Sequence, residues 1–215
     1  MARIAGSTAH VTRQRILDAA TTLFAEHGYA GTSMRDLAQH LGMSSSALYY
    51  HFPAKEELLS ALVGPVLEAL DRFAEQAEGA RLGQEELVRG IISVLDDSGR
   101  TLQAIAAEPT ALRVMVDRHG LGRRLGRLDR LVAGGDDPAM RLRSRCALGA
   151  VRAGIMSMHA MRQRSGAAAD LLSGPDTTPP SPRLADAERE LLVSVALAVL
   201  NAPLPSGFEA TAERS

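Results

Sequence analysis

Apolar residues recur every three or four positions along almost the whole chain, and the period-2 alternation of β-branched residues that marks a half-buried strand is missing. That pattern predicts an all-α protein of about nine helices. A first helix runs from about Thr12 to His27, with Ile16, Ala20, Leu23 and Phe24 on one stripe and Gly28 closing it. The second starts at Ser33. Ser33 and Asp36 stand at capping-box spacing, and Leu37, Ala38 and Leu41 supply a buried face. Gly42 turns the chain, one of Ser44, Ser45 and Ser46 caps a third helix, and Ala47, Leu48 and Phe52 form its inward side. A fourth helix runs from about Lys55 to Glu78, with Glu56 and Glu57 in the first turn where they suit the helix dipole. Gly64-Pro65 lies inside it. Proline lacks a donor and its ring meets the carbonyl of Ala61, so a kink is expected there.

Further helices are expected near 84–97, 101–107 and 109–131, with Pro109 at an amino-terminal position. Asp137-Pro138 reads as a cap and first helical residue of a helix reaching about Gln163. Ser181-Pro182 opens the last helix by the same device, and that helix runs to about Asn201. Between them, residues 165–180 (SGAAADLLSGPDTTPP) read as a mobile loop rich in small residues and proline. No internal repeat is visible.

Charge changes the picture more through its distribution than its total. Residues 1–55 hold five basic and three acidic side chains (+2), and residues 56–112 hold four arginines against eleven acids (−7). Residues 113–164 hold twelve arginines against four acids (+8), and the remainder comes to −4. A mildly basic amino-terminal segment suits phosphate, while the acidic segment after it does not. Cys146 is the single cysteine, so no intramolecular disulfide forms and a reducing compartment fits. With neither a signal-peptide pattern nor an apolar run of the roughly 18 residues a membrane span needs, the expectation is a soluble, cytoplasmic protein with no membrane partner.

The candidate chemistry is concentrated between Ser33 and Glu57. Two short amphipathic helices joined by a tight turn are the sequence form of a helix-turn-helix, which sets one short helix in the major groove of DNA. Small polar residues at that helix's start, Ser44, Ser45 and Ser46, suit contact with base edges. Tyr49, Tyr50, His51 and Lys55 can donate to phosphates. The plain alternative for the tyrosines is one packed in the core and the other idle on the surface.

The stretch TRQRILDAATTLFAEHGYAGTSMRDLAQHLGMSSSALYYHFPAKEELL, from Thr12 to Leu59, resembles the amino-terminal domain of the TetR family of bacterial transcriptional regulators. The shared elements are IL-x-AA-x-x-LF, the Gly28-Tyr29 end, the Thr32-Ser33 start, LA-x-x-LG, ALYYHF and K-x-E-L. The resemblance implies a DNA-binding domain over 1–56 and an effector-binding and dimerisation domain over 57–215. It places Arg35, Ser45, Ser46 and Tyr49 where the family reads bases, and Ser33, Tyr50, His51 and Lys55 where it holds phosphates. Ala47 departs from members that place a phosphate-reaching hydroxyl there. It also implies a homodimer on a pseudopalindromic operator, acting most often as a repressor and released by a small-molecule effector. Control by a protein partner, with no small-molecule pocket, is the alternative.

Beyond Glu57 the chain offers pattern only. Leu62, Val66, Leu70, Ile91, Leu95, Met115, Met156 and His159 are candidates to line an effector pocket, and core packing accounts for the same residues. Met140, Met156, Met158 and Met161 would give an adaptable apolar wall. The arginines of 113–164 are read as a solvated face opposite Leu121, Leu125, Leu128 and Leu131, or in part as inward groups for an anionic effector. Val151, Ile155, Met158, Leu192, Val195 and Val199 are candidates for the dimer interface, because a last helix apolar all round must be covered on both sides. Cys146 is expected to be a small buried apolar residue. Catalysis finds no support: the histidines show no metal-ligand spacing, and there is neither a Gly-x-Ser-x-Gly elbow nor a phosphate-cradling glycine loop. No cofactor is expected.

Overall fold

The computed structural model describes residues 3–99, 101, 105, 108–170 and 183–203, with side chains described from position 9 onward and not for 163–170. Among them are nine α-helices and no strand: α1 (Arg3–Gly31), α2 (Met34–His40), α3 (Ser45–His51), α4 (Lys55–Ala80), α5 (Gln84–Asp97), α6 (Pro109–His119), α7 (Leu121–Ala133), α8 (Pro138–Asp170) and α9 (Asp186–Leu200). They form two compact units. Met1–Leu67 with Arg100–Leu121 make the first, and Glu68–Gly99 with Gly122–Ser215 the second. The backbone of α4 passes from one unit to the other two residues after Pro65.

The first unit closes around α1, α2, α3, the start of α4 and α6. Ile16, Phe24, Leu37, Leu48, Phe52 and Leu58 are each at most 1 % exposed, and burying such a side chain contributes roughly 1.5–3 kcal/mol. Phe24 and Tyr29 meet edge to face at 5.2 Å. Burial and the nearby Glu56 charge push the Tyr29 phenol up to about 12.

The second unit packs α5, α8 and α9 through Val88, Ile92, Val151, Ile155, Val193 and Ala196. A buried polar knot ties the same helices. The Asp96 carboxylate, fully enclosed, accepts from the Leu184 amide at 3.1 and 3.2 Å and from Arg189 Nη2 at 2.8 Å. His159 Nε2 lies 3.2 Å from Asp96 Oδ1, off the line of a hydrogen bond.

Several elements differ from the sequence expectation. α1 begins at Arg3 rather than near Thr12; Gly28 (φ 76°, ψ 159°) is non-helical and closes the regular helix where the pattern places its end, and a short further turn follows the kink to Gly31. α4, by contrast, is the one long helix expected, with Gly64-Pro65 inside it. Pro65 is exposed, so the carbonyl of Ala61 can turn toward water instead of the helix breaking. The expected single helix over 109–131 is two. Gly120 adopts φ 60° as a left-handed cap and its amide bonds Met115, a position that favours glycine and stops α6.

α8 reaches Asp170, seven residues past the expected end. Thus 165–170 of the expected loop is helical: the helix continues through Gly166, and the three alanines after it favour helix. Positions 171–180 lie outside the described residues. Asp137 caps α8 as expected, accepting from Met140 N at 2.8 Å. α9 opens at Asp186, not at Ser181-Pro182, which are themselves outside the described residues. The Glu188 carboxylate accepts from Ala185 N at 2.7 Å and closes its amino end. Most of 101–107 is also outside the described residues.

α8 is where helical spacing misleads most. It carries two apolar stripes, and the one through Ala147, Val151 and Ile155 faces the unit's own core. Val151, Ile155 and Leu192 are therefore unavailable to a partner, Met158 and Val199 are half-buried, and Val195 alone of the six candidates is exposed. The outward stripe instead holds Leu142 (50 % exposed) and Cys146, with Leu191 (56 %) on α9. Cys146 is exposed, not buried, because it falls one position off the inward stripe.

Candidate nucleic-acid interface

The geometry of α2 and α3 follows from local chemistry. Ser33 Oγ accepts from Asp36 N at 3.1 Å while the Asp36 carboxylate accepts from Ser33 N at 2.9 Å, a reciprocal capping box. The Ser33 hydroxyl donates to the same carboxylate at 2.7 Å. These bonds hold Asp36 below the ordinary aspartate value. Gly42 (φ 63°) makes the turn in a conformation that favours glycine. Ser44 caps α3 by accepting from Ala47 N at 3.2 Å.

α3 is then anchored by Leu48 and by Phe52, its carboxy-terminal cap, both fully buried. Ala47 and His51 are half-buried, and its other positions are turned out. Ser45 and Ser46 are exposed, with Ser46 Oγ 3.1 Å from Ser44 Oγ. Tyr49 is 48 % and Tyr50 85 % exposed, so neither packs in the core as the plain alternative would have it. Tyr50 stacks edge-on against half-buried His51 at 5.4 Å. On α2, Arg35 is exposed and has no carboxylate within 4.0 Å among the described residues. Arg35, Ser45, Ser46, Tyr49 and Tyr50 thus all stand on the wet surface of one helical pair.

Two sequence candidates are held differently. Ser33 directs its hydroxyl into the capping box. Lys55 Nζ donates to the carbonyls of Tyr29 at 2.8 Å and Thr32 at 3.0 Å, and lies 4.4 Å from the centre of the Tyr29 ring. Its main bonds clasp the end of α1 to the start of α4, which leaves one of three ammonium donors for phosphate. One contributor escaped sequence reasoning. Arg13 of α1 donates to the His51 carbonyl at 2.9 Å and lies 4.0 Å over the Phe52 ring, steadying the carboxy-terminal end of α3. Its partners are 38 residues away and no local spacing signals them.

The effector-pocket candidates do not gather in one unit. Leu62, Val66 and Met115 belong to the first; Leu70, Ile91, Leu95, Met156 and His159 belong to the second, where Leu70 and Ile91 pack in the core and His159 joins the Asp96 knot.

Residues 16–62 match the family model described as bacterial regulatory proteins, tetR family. The chain is 36 % identical over 91 residues to the HTH-type transcriptional regulator UidR of Escherichia coli K12, covering 42 % of this chain and 46 % of that protein. It is 41 % identical over 105 residues to the transcriptional repressor KstR2 of Rhodococcus jostii, covering 49 % of this chain and 48 % of that protein. The chain spans about half the length of the curated relatives it matches. In three dimensions it is similar to a transcriptional regulator of Aquifex aeolicus (TM-score 0.58, 19 % identity, 85 % of this chain and 96 % of that one). A TetR-like regulator of Rhodococcus sp. RHA1 is equally close in fold (TM-score 0.59, 20 % identity, 88 % and 96 %). No helix among the described residues is long and apolar enough to cross a membrane.

Proposed function

This chain belongs to the TetR family of transcriptional regulators, and from that premise we propose that it is a cytoplasmic, homodimeric one-component repressor that binds a two-fold operator and is released by a small molecule. The observation that carries the reading is the exposed face of α2 and α3, where hydroxyls, two phenols and an unpaired guanidinium project from helices fixed by buried Leu37, Leu48 and Phe52. Arg35, Ser45, Ser46 and Tyr49 read base edges. Tyr50, His51 and the remaining Lys55 donor hold phosphates.

A pair of half-sites requires two readers roughly 34–36 Å apart, hence two protomers. The outward stripes of α8 and α9, with Leu142, Cys146, Leu191 and Val195, join them, because apolar surface of this kind gains by leaving water. Effector binding favours one arrangement of the second unit's helices. The signal passes along α4, whose Gly64-Pro65 step precedes the point where the helix changes unit. Operator and effector then weaken each other reciprocally, by about 1–3 kcal/mol. Replacing Gly64 and Pro65 with alanines should change effector-induced release more than operator affinity; unchanged release discards that role for the step. The reading as a whole is tested by fluorescence anisotropy with operator DNA. Tyr49→Phe should weaken binding while circular dichroism stays that of wild type, and wild-type affinity would count against the assigned surface.

A further inference from the structure

A surface cavity of about 700 Å³ in the second unit has no part in the reading above. One wall is a face of α7 formed by two i, i+4 rows: Gly122, Gly126 and Arg130 beside Arg123, Arg127 and Leu131. The opposite wall is Arg141 and Arg145 of α8, and Glu78 of α4 closes one side. Five guanidiniums therefore share one concave site of a volume typical for a small-molecule ligand.

Like charges gathered this way repel, and the fold holds them by specific ties. Glu78 grips Arg127 with two parallel bonds of 2.8 and 2.6 Å. Asp129, 3 % exposed, accepts on Oδ2 from Arg141 at 3.2 Å and Arg145 at 3.1 Å. Arg141 also reaches Asp136 at 3.3 Å. Arg123 and Arg130 have no carboxylate within 4.0 Å among the described residues. The lining itself sets five arginines against one acid, Glu78, while Asp129, Asp136, Glu75 and Asp71 nearby offset part of that positive charge.

The glycines add an independent argument. A glycine within a helix costs roughly 0.5–1 kcal/mol relative to alanine. A Cβ at Gly122 or at Gly126 would meet nothing within 4 Å among the described residues, so packing against those residues does not require either glycine. Their absence of side chain leaves backbone as the floor of the cavity between the arginines, where Arg130 Nε donates to the Gly126 carbonyl at 3.4 Å.

We infer that this cavity binds a small polyanion, a molecule bearing two or more phosphate or carboxylate groups that lie over the bare backbone of Gly122 and Gly126. Arg123 and Arg130 supply its main contacts, since guanidinium forks match planar and tetrahedral oxyanions bidentately. Arg127, Arg141 and Arg145, already oriented by acids, line the rest. This site does not depend on the DNA-binding reading, and its test needs no DNA.

Titration calorimetry of the full chain at fixed, low ionic strength should show saturable binding of inorganic tripolyphosphate or of citrate. The tighter of the two names the oxyanion class. R123A/R130A should weaken that binding by about tenfold or more, as loss of charge-assisted bonds implies. G126L should abolish it by filling the floor while melting no lower than wild type, because leucine is the better helix former. If G126L does not fold, the arginine variant decides alone. Three results overturn the inference: no saturable binding of either anion, affinity unchanged in R123A/R130A, or a G126L protein that changes its oligomeric state yet keeps wild-type anion binding.

Discussion

The two units are fastened by different physics. In the first, the polar ties include local caps, Ser33 with Asp36 and Ser44 with Ala47, and cations that end on backbone carbonyls, Lys55 on Tyr29 and Thr32 and Arg13 on His51. Neutral or amide bonds between helices add to them, Ser60 with His119 and the Ala30 amide on Glu108. Arg118–Glu57, at 3.5 Å, is an exposed exception. In the second, cations meet acids on other helices: Arg89 with Glu190, Arg127 with Glu78, Arg189 with Asp96. Carbonyl clasps involve no titrating acid, and short local caps are little affected by salt, although the Asp36 cap is lost in acid as its carboxylate protonates. Ion pairs between helices respond to both, and to any bound anion. Under the proposed function, the surface that would present one fixed face is built the first way, and the unit that would respond to a ligand is built the second.

Phe52→Ala should break the first unit outright. Removing this fully buried ring costs about 4 kcal/mol, read as a lowered urea midpoint, and operator binding should fail with it. In the second unit, Asp96→Ala leaves the Leu184 amide and Arg189 without their acceptor, an effect on the order of 3 kcal/mol. Asp96→Asn should recover part of it, and a denaturation midpoint equal to wild type in the alanine variant would remove the knot from the account. Ser33→Ala deletes a cap and should cost about 1 kcal/mol, measured by thermal melting.

The smallest effects sharpen the contrast through pH. Hydrogen bonds from Arg127 and Arg89 hold Glu78 and Glu190 below the ordinary glutamate value of 4.5. Their folded values lie below the unfolded ones, so their contribution is present above pH 4.5 and is lost as pH falls through the lowered values. A Glu78→Gln/Glu190→Gln protein should therefore show a shallower acid limb in melting temperature against pH, and an unchanged limb would assign acid sensitivity elsewhere. Tyr29 acts in the opposite direction. Its folded value of about 12 exceeds 10.0 in the unfolded chain, so its contribution holds below pH 10 and declines as pH rises toward 12. Tyr29→Phe should remove one late step from the alkaline absorbance titration.

The same contrast decides what the sequence discloses. The capping box, the Gly42 turn and the Asp137 cap are spacings of a few residues, and the structure has them where the pattern places them. The exposed set on α3 was legible because Leu48 and Phe52 fix its inward side. Arg13 on the His51 carbonyl, the Lys55 clasp and the Asp96 knot join positions 23 to 93 residues apart, and no periodicity announces them. α8 failed for another reason. A helix with two apolar stripes does not say which one its own unit will cover, so Val151 and Ile155 landed on the inward stripe. Gly120 was missed because leucines continue in helical register on both sides of it.

The most direct measurement is selection of bound DNA from a random-sequence pool at fixed, moderate salt, run with the wild-type chain and with an Arg35→Ala/Tyr49→Ala variant. The account predicts enrichment of a two-fold symmetric site by wild type and none by the variant, both proteins having the same circular dichroism. No enrichment by wild type, or an identical enriched site from the variant, would contradict it.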